Sequence, residues 1–193
     1  YGLDLNVHGQ FVEGIESFFK LGLMSTKEDI LNDSYKEYYN AAGERIIFGF
    51  SDDQVVVDSA EIFPGYVPRP TDQWLNLGAL VQDRMPGFEK FSVQMGLQFG
   101  SRLPYGPPDF NRYKDTLRMK SYFRVDIGMS YDFFYNSSSK EGFFKRNFTD
   151  AILSFEIFNL LGVNNVLSKQ WIQDVEGKYY SIPNYLTQRR FNL

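Results

Sequence analysis

Strict alternation of large apolar and small polar residues marks the stretch Phe91-Ser-Val-Gln-Met-Gly-Leu-Gln-Phe-Gly100. Successive side chains of an extended strand point to opposite faces, so the large apolar side chains share one face, and Ser, Gln and Gly share the other. A helix would need apolar residues three and four positions apart, which this stretch does not supply. The stretch therefore predicts a β-strand with one apolar and one polar face.

The same period of two recurs in four further segments, so strands are predicted at residues 1–11, 72–84, 90–100, 121–134 and 149–158. Residues 15–27 are predicted to form a further strand, and the residues from Arg189 onward to begin another. The connections on one side are short (Phe11–Gly14, Met85–Phe88) or medium (Tyr135–Asn147), whereas those on the other side are long: Lys27–Thr71, Ser101–Ser121 and Asn159–Thr187. The predicted fold class is all-β, with antiparallel strands running up and down. Both ends of the chain fall within strand patterns, which indicates a fragment.

Composition excludes several classes of function. The chain has 193 residues, a formal net charge of −4, no cysteine, and 18% aromatic residues. The acidic balance argues against a nucleic-acid partner, which would require a basic face. The absence of cysteine excludes disulfides, thiol catalysis and cysteine-based zinc sites. The single histidine, His8, lies in a predicted strand without a nucleophile motif nearby, so no catalytic, cofactor or metal site is predicted and the chain is not expected to be an enzyme.

A membrane location would require strands rather than helices. The longest purely aliphatic run is Val55–Val57, whereas a spanning helix needs about 20 apolar residues. The other structure that satisfies its backbone within lipid is a closed β-barrel, in which short and long connections lie at opposite ends. A soluble or surface-attached β-rich ligand-binding module, such as a glycan binder, is the alternative, since alternation is a weak signal in each segment. A small passive barrel is a third interpretation.

The composition of the two strand faces favours the barrel. The polar face carries Gly, Ser, Gln, Asn and Asp, whereas a soluble half-buried sheet usually presents Lys, Glu and Thr. We therefore expect the apolar faces of Phe91–Phe99 and Val125–Phe133 to meet lipid, and Gln94 to face the interior. Arg124 and Asp126 lie two positions apart on one strand, and we expect them to form a charged network on the interior face.

The long connections carry candidate ligand contacts. The run Phe63–Pro70 contains three Pro and one Gly, so it is predicted to be stiff and extended rather than a strand of a ladder. The rigid loop Leu103–Pro108 presents Tyr105. The third long connection presents Trp171, Tyr179, Tyr180 and Tyr185. Such rings can stack on sugars or pack on peptides, and they can equally pack on one another.

Six motifs follow one another along the chain: Leu23-Met-Ser-Thr-Lys-Glu-Asp-Ile30, Pro64-Gly-Tyr-Val-Pro-Arg-Pro-Thr-Asp-Gln73, Gly100-Ser-Arg-Leu-Pro-Tyr-Gly-Pro-Pro108, Tyr122-Phe-Arg-Val-Asp-Ile-Gly128, Phe155-Glu-Ile-Phe-Asn-Leu-Leu-Gly-Val-Asn-Asn165 and Pro183-Asn-Tyr-Leu-Thr-Gln-Arg-Arg190. This series resembles the C-terminal barrel portion of TonB-dependent outer-membrane receptors. The most similar branch has carboxypeptidase-regulatory-like and plug domains upstream.

The resemblance implies that residues 1–193 form a transmembrane β-barrel segment with long extracellular loops. The segment would contribute about six or seven strands to a barrel of about 22 strands. It implies a bacterial outer-membrane location and uptake of a glycan, peptide or metal chelate, with energy from an inner-membrane complex. The implied partners are outer-membrane lipid, the plug and remaining strands of the same receptor, the energy-coupling inner-membrane protein and a surface lipoprotein. No cofactor is implied.

Overall fold

The computed structural model describes residues 1–12, 15–108, 114, 116–136 and 148–193. These residues form only strands, turns and irregular segments. In chain order the strands are β1 Gly2–Val12, β2 Ile15–Met24, β3 Lys27–Glu28, β4 Tyr35–Tyr39, β5 Arg45–Ile46, β6 Asp58–Ile62, β7 Val67–Pro68, β8 Leu75–Met85, β9 Phe88–Gly100, β10 Pro104–Tyr105, β11 Leu117–Arg118, β12 Tyr122–Asp132, β13 Ile152–Phe158, β14 Val166–Gln173, β15 Tyr179–Tyr185 and β16 Arg190–Asn192.

No helix in the described part of the chain is long and apolar enough to cross a membrane.

Seven strands form the main antiparallel sheet. Among the described residues their order is β1-β2-β8-β9-β12-β13-β16, so neighbours in the sheet follow one another in chain order, with only strands of the smaller sheets between them. The all-β, antiparallel, up-and-down prediction is confirmed, and each predicted strand has its counterpart within a few residues. The sheet is open in the described residues, with β1 at one edge and β16 at the other.

Cross-strand register separates the two faces across the whole sheet. One row of paired residues runs Val7–Phe19–Ala79–Leu97–Val125, and all of its members are apolar. A parallel row on the same face runs Val81–Met95–Ile127–Ile157–Phe191. The opposite face carries polar rows such as Asn6–Lys20–Gly78–Gln98–Arg124. The predicted division into an apolar and a polar face therefore extends over every strand of the sheet.

The apolar face has no cover among the described residues. Leu5 and Met95 are both 49% exposed, and Val81 is 43% exposed. Buried hydrophobic residues in the described chain are limited to Ile15, Ile46 and Val67. A soluble sandwich would instead bury one face of its sheet against a second layer. The described part of the chain thus has a well-paired sheet without an ordinary hydrophobic core.

The small sheets all belong to the long connections. The β2–β8 connection holds the β3–β7 pair and the β5-β4-β6 sheet, and the next two long connections hold the β10–β11 and β14–β15 hairpins. Because the main strands alternate in direction, these three connections lie at one end of the sheet, here called the loop end. The tight β8–β9 turn and the β1–β2 connection lie at the other, here called the short-turn end.

One loop prediction needs correction. The run Phe63–Pro70 was expected to lie outside any ladder, but Val67 and Pro68 pair with Glu28 and Lys27. Proline lacks only the N–H donor and keeps its carbonyl acceptor, so it is compatible with a two-residue pairing at the edge of a loop. The extended conformation expected from the proline content is present.

A glycine on the polar face makes room for a hydrogen bond that spans three strands. Gly128 of β12 pairs with Gln94 of β9 on one side and with Glu156 of β13 on the other. Gln94 Nε2 crosses above Gly128 and donates to Glu156 Oε1 at 3.2 Å. A Cβ at residue 128 would lie 2.5 Å from Gln94 Nε2, so any larger residue would displace the amide.

We predict that Gly128→Ala destabilises the sheet relative to a matched control, Gly78→Ala. A Cβ at Gly78 meets nothing within 4 Å, so the control should be neutral or slightly stabilising. Loss of the Gln94–Glu156 bond should make Gly128→Ala less stable than the control by about 1–2 kcal/mol. The measurement is the free energy of unfolding by denaturant. Equal values for the two variants would contradict this role of Gly128.

Candidate functional site

A cavity lies where the polar face of the main sheet meets the loop end. It has a volume of about 640 Å³, and its floor is the glycine-rich polar face of β8, β9 and β12. Amide, charged and phenolic side chains line its walls, while apolar residues of the long connections close it at the loop end. The residues used below are Lys20, Gln94, Gln98, Tyr122, Asp126 and Glu156 on the sheet, with Leu103, Met119 and Leu167 at the loop end.

Arg124 and Asp126 form an ion pair on β12, and Asp126 lies on the floor of this cavity. Arg124 Nε lies 2.7 Å from Asp126 Oδ1. The same oxygen accepts the backbone N–H of Asn159 at 2.7 Å, and the Arg124 guanidinium lies 5.3 Å from the Phe158 ring. The pair therefore links β12 to the end of β13 and is more than an isolated surface ion pair.

A second part of the polar network was missed by sequence reasoning. Glu156 accepts one hydrogen bond from Gln94 and another, at 3.2 Å, from Asn192 Nδ2 of the last strand. Tyr122 also reaches Gln98 on the neighbouring strand, at 3.5 Å. The alternation of β13 places Glu156 on its polar face, so its direction could be predicted. Its partners depend on the register between strands, which the sequence of one strand does not contain.

Buried polar residues mark the junctions between strands and long connections. Ser101 Oγ accepts the Leu75 N–H at 3.1 Å, which ties the end of β9 to the start of β8. Asn165 bonds both backbone groups of Phe123, at 2.9 and 2.8 Å. Both residues are at most 4% exposed. These side chains complete the backbone pairing where the sheet gives way to loops, so they hold the loop end in place.

Asp72 ties together residues of two long connections at this end of the sheet. It is 5% exposed, its Oδ1 accepts the Thr26 N–H at 2.9 Å, and its Oδ2 accepts Arg118 Nη2 at 2.6 Å. Arg118 also donates to the Asp72 carbonyl at 2.9 Å. Burial acts to raise the pKa of Asp72, but the hydrogen bonds from Arg118 and Thr26 and the Arg118 charge outweigh it, so the pKa lies below its usual range.

We predict that Asp72→Asn destabilises the loop end by about 1–3 kcal/mol at neutral pH. Because the folded-state pKa is below the unfolded-state value, the contribution of Asp72 is fully present above the unfolded pKa and is lost as pH falls through the folded pKa. The difference in unfolding free energy between the native chain and the variant should therefore shrink as the solution is acidified. Glu28→Gln is the control, because Glu28 pairs with the half-exposed Arg69. This substitution should lower the free energy of unfolding by less than about 1 kcal/mol. A difference independent of pH would contradict this assignment.

An aromatic cluster joins the three long connections. Trp171 lies 6.2 Å from Tyr105 in a stacked arrangement, and 5.9 Å from Phe50 edge-to-face. Phe50 also stacks on Tyr179 at 5.9 Å. Three of the candidate ligand-contacting residues, Tyr105, Trp171 and Tyr179, are thus brought together, and they pack on one another. Sequence reasoning missed Phe50 and Gly49; a Cβ at Gly49 would overlap the Tyr179 ring.

Polar contacts fix the same cluster. Trp171 Nε1 donates to the Gly106 carbonyl at 3.2 Å. Lys169 Nζ lies 3.2 Å from the Tyr105 hydroxyl and 5.0 Å from its ring centre. The Tyr179 N–H donates to the Gly49 carbonyl at 3.1 Å. The rings are therefore held in one arrangement and form part of the architecture of the loop end.

The remaining candidates, Tyr180 and Tyr185, lie outside this cluster. Both belong to β15, and each is 52% exposed. A hydrogen bond to Asp174 and the charge of that carboxylate raise the pKa of Tyr180. These two side chains remain available for contact with a ligand.

We predict that Trp171→Ala loosens the contacts among the long connections. Two ring pairs, each contributing about 0.5–1.5 kcal/mol, are lost with the indole. Limited proteolysis should cleave the connection 101–121 faster in this variant, with the main sheet intact by circular dichroism. Trp74→Ala is the control, because Trp74 is 59% exposed and should leave the cleavage rate unchanged. Equal rates in both variants would show that the cluster does not hold the loops.

Comparison with known proteins returned no matching family model, curated protein or solved structure. In the described residues, no group of three or more His, Cys, Asp or Glu side chains could hold a metal ion.

Proposed function

We propose that the chain is a β-barrel segment of a bacterial outer-membrane active transporter of the TonB-dependent receptor type, and not an enzyme. Its ligand would be a glycan, a peptide or a metal chelate, taken up with energy from an inner-membrane complex. The carrying observation is the uncovered apolar face of the main sheet. The motif series quoted above supports the choice of family, and the following features support the membrane barrel.

Lipid is the cover that suits the apolar face. The face is continuous from Val7 to Phe191 through register, and it presents exposed side chains such as Met95. From Phe91 to Phe99 the strand runs about 26 Å, or about 20 Å in height with a strand tilt of about 40°. That height approaches the apolar band of about 25 Å that a transmembrane barrel presents.

Aromatic residues lie at both limits of this band. At the short-turn end, Phe91 pairs with Tyr131, whose ring contacts Phe133 edge-to-face at 4.9 Å. At the loop end, Phe99 pairs with Phe123. Two aromatic belts on either side of an aliphatic band are typical of the lipid interfaces of barrels.

The polar face suits a hydrated interior. Its network of amides, hydroxyls and ion pairs is satisfied laterally across strands, as the Gln94–Glu156–Asn192 series shows. Long connections at one end and short ones at the other suit extracellular loops and periplasmic turns. On this proposal the remaining strands and a plug complete the barrel, and the ordered loop end forms the ligand entrance, with a surface lipoprotein as a further partner.

The faces can be tested with single cysteines, because the chain contains none. Met95→Cys and Gln94→Cys are adjacent on β9 and point to opposite faces. Each variant is labelled with an environment-sensitive fluorophore and placed in phospholipid vesicles. We predict that the emission of the label at residue 95 is blue-shifted and is quenched by nitroxides on lipid chains. The emission of the label at residue 94 should instead be quenched by iodide in the water.

A different result would favour the soluble or surface-attached binding module. In that case the chain would remain in the supernatant without detergent, as a monodisperse monomer that unfolds cooperatively. Equal iodide quenching at both positions in vesicles would also contradict the proposal, because it would place Met95 in water.

A further inference from the structure

A second cavity lies on the polar face at the short-turn end. It has a volume of about 310 Å³ and is lined by Gln82, Arg84, Ser92, Ser130, Ser154 and Glu156, among others. It adjoins the loop-end cavity at Gln94 and Glu156, which line both cavities. Its chemistry differs from that of the first cavity, because three serine hydroxyls and one guanidinium are among its lining groups.

We propose that this cavity is an oxyanion-binding site for a carboxylate group. Register places Arg84 beside Ser92, Ser92 beside Ser130, and Ser130 beside Ser154. Neighbouring strands lie about 4.8 Å apart, so one cation and three hydroxyls stand side by side in a row across four strands. The two inner hydroxyls lie 2.7 Å apart and share one hydrogen. The other hydrogen of that pair and the Ser154 hydroxyl are available as donors.

Arg84 has no carboxylate partner among the described residues. Its Nη1 makes a long hydrogen bond of 3.4 Å to the Glu89 carbonyl, and its Nε is shielded from water without a hydrogen-bond partner in the described chain. Four other arginines each lie within ion-pair distance of a carboxylate: Arg45, Arg69, Arg118 and Arg124. A partly desolvated cation without a counter-charge is costly, and a bound oxyanion removes that cost.

Nearby groups hold Arg84 in position without neutralising it. Its guanidinium lies 3.6 Å from the centre of the Tyr135 ring. Asp132 fixes that segment, because its Oδ1 accepts the N–H groups of Phe134 and Tyr135 at 2.8 and 3.0 Å. Glu156 accepts amide donors from two other strands. The stacked guanidinium is thereby oriented, and the Asp132 and Glu156 carboxylates of this face already accept other hydrogen bonds.

The charge balance favours a carboxylate over a phosphate. The row offers one positive charge, and Glu156 adds a negative charge to the same cavity. A singly charged oxyanion is therefore better matched than a doubly charged one. The carboxylate could be a free small acid or an acidic side chain of a protein segment that lies along the polar face.

The experiment compares two probes by isothermal titration calorimetry on the full chain, in whichever medium it folds, buffer or detergent. Acetate, which carries a single negative charge, represents the free acid, and a hexaglutamate peptide represents the protein segment, with a hexaglutamine peptide as its control. Whichever probe binds, Arg84→Gln should weaken its affinity by at least about tenfold. Ser154→Ala should weaken that affinity by a smaller factor. Arg69→Gln, which removes a half-exposed loop charge, should leave the affinity unchanged.

The outcomes separate the sources and test the site. Tighter binding of hexaglutamate than of acetate, per carboxylate, identifies a protein segment; equal binding identifies a free acid. Absence of saturable binding by either probe, or equal affinity in the native chain and Arg84→Gln, would overturn the proposal. Arg84→Lys keeps the charge and should retain part of the affinity, which separates loss of the site from loss of fold. The titration uses whichever medium allows the chain to fold. Its result therefore does not depend on whether the apolar face contacts lipid, as the proposed function requires.

Discussion

Cross-strand register is the constraint on which the rest of the structure depends. A slip of one residue between any two strands would turn every side chain of one strand to the opposite face. The rows Val7–Phe19–Ala79–Leu97–Val125 and Asn6–Lys20–Gly78–Gln98–Arg124 exist only because each pairing keeps the same parity. The polar network, the glycine beneath Gln94 and the serine row all follow from that shared register.

The loop end is organised by a different kind of contact. The main sheet is held by backbone pairing, whereas the long connections are tied to it by buried polar side chains such as Asp72 and Asn165, and to one another by aromatic rings. Side-chain contacts of this kind fix position with few residues, so the described parts of these connections are held against the sheet and against one another. The main sheet therefore carries structured connections at its loop end, where exposed rings such as Tyr180 belong to the β14–β15 hairpin.

The sequence was sufficient for the strands of the main sheet and insufficient for their side-chain partners. Alternation predicts five of these strands, because period two is a local property of each segment, whereas the strands within the long connections, such as β4 and β14, were missed. It also predicts that Arg124 and Asp126 share a face, since they are two residues apart. The meeting of Phe50 with Trp171 joins residues far apart in the chain, and no local pattern reports such a contact. The same holds for Asp72 with Arg118. The pairing of Pro68 with Lys27 was not predicted, because the exclusion of proline from strands applies to longer ladders and not to a pairing of two residues.

The near absence of a buried apolar core has a consequence for what stability means in this chain. In a protein with its own core, the free energy of unfolding is largely a property of the polypeptide. Here the described chain buries few hydrophobic side chains, so whatever covers the apolar face contributes as a bound ligand would, by mass action. An unfolding midpoint would then shift with the concentration of the covering component, and two laboratories using different media would measure two different equilibria.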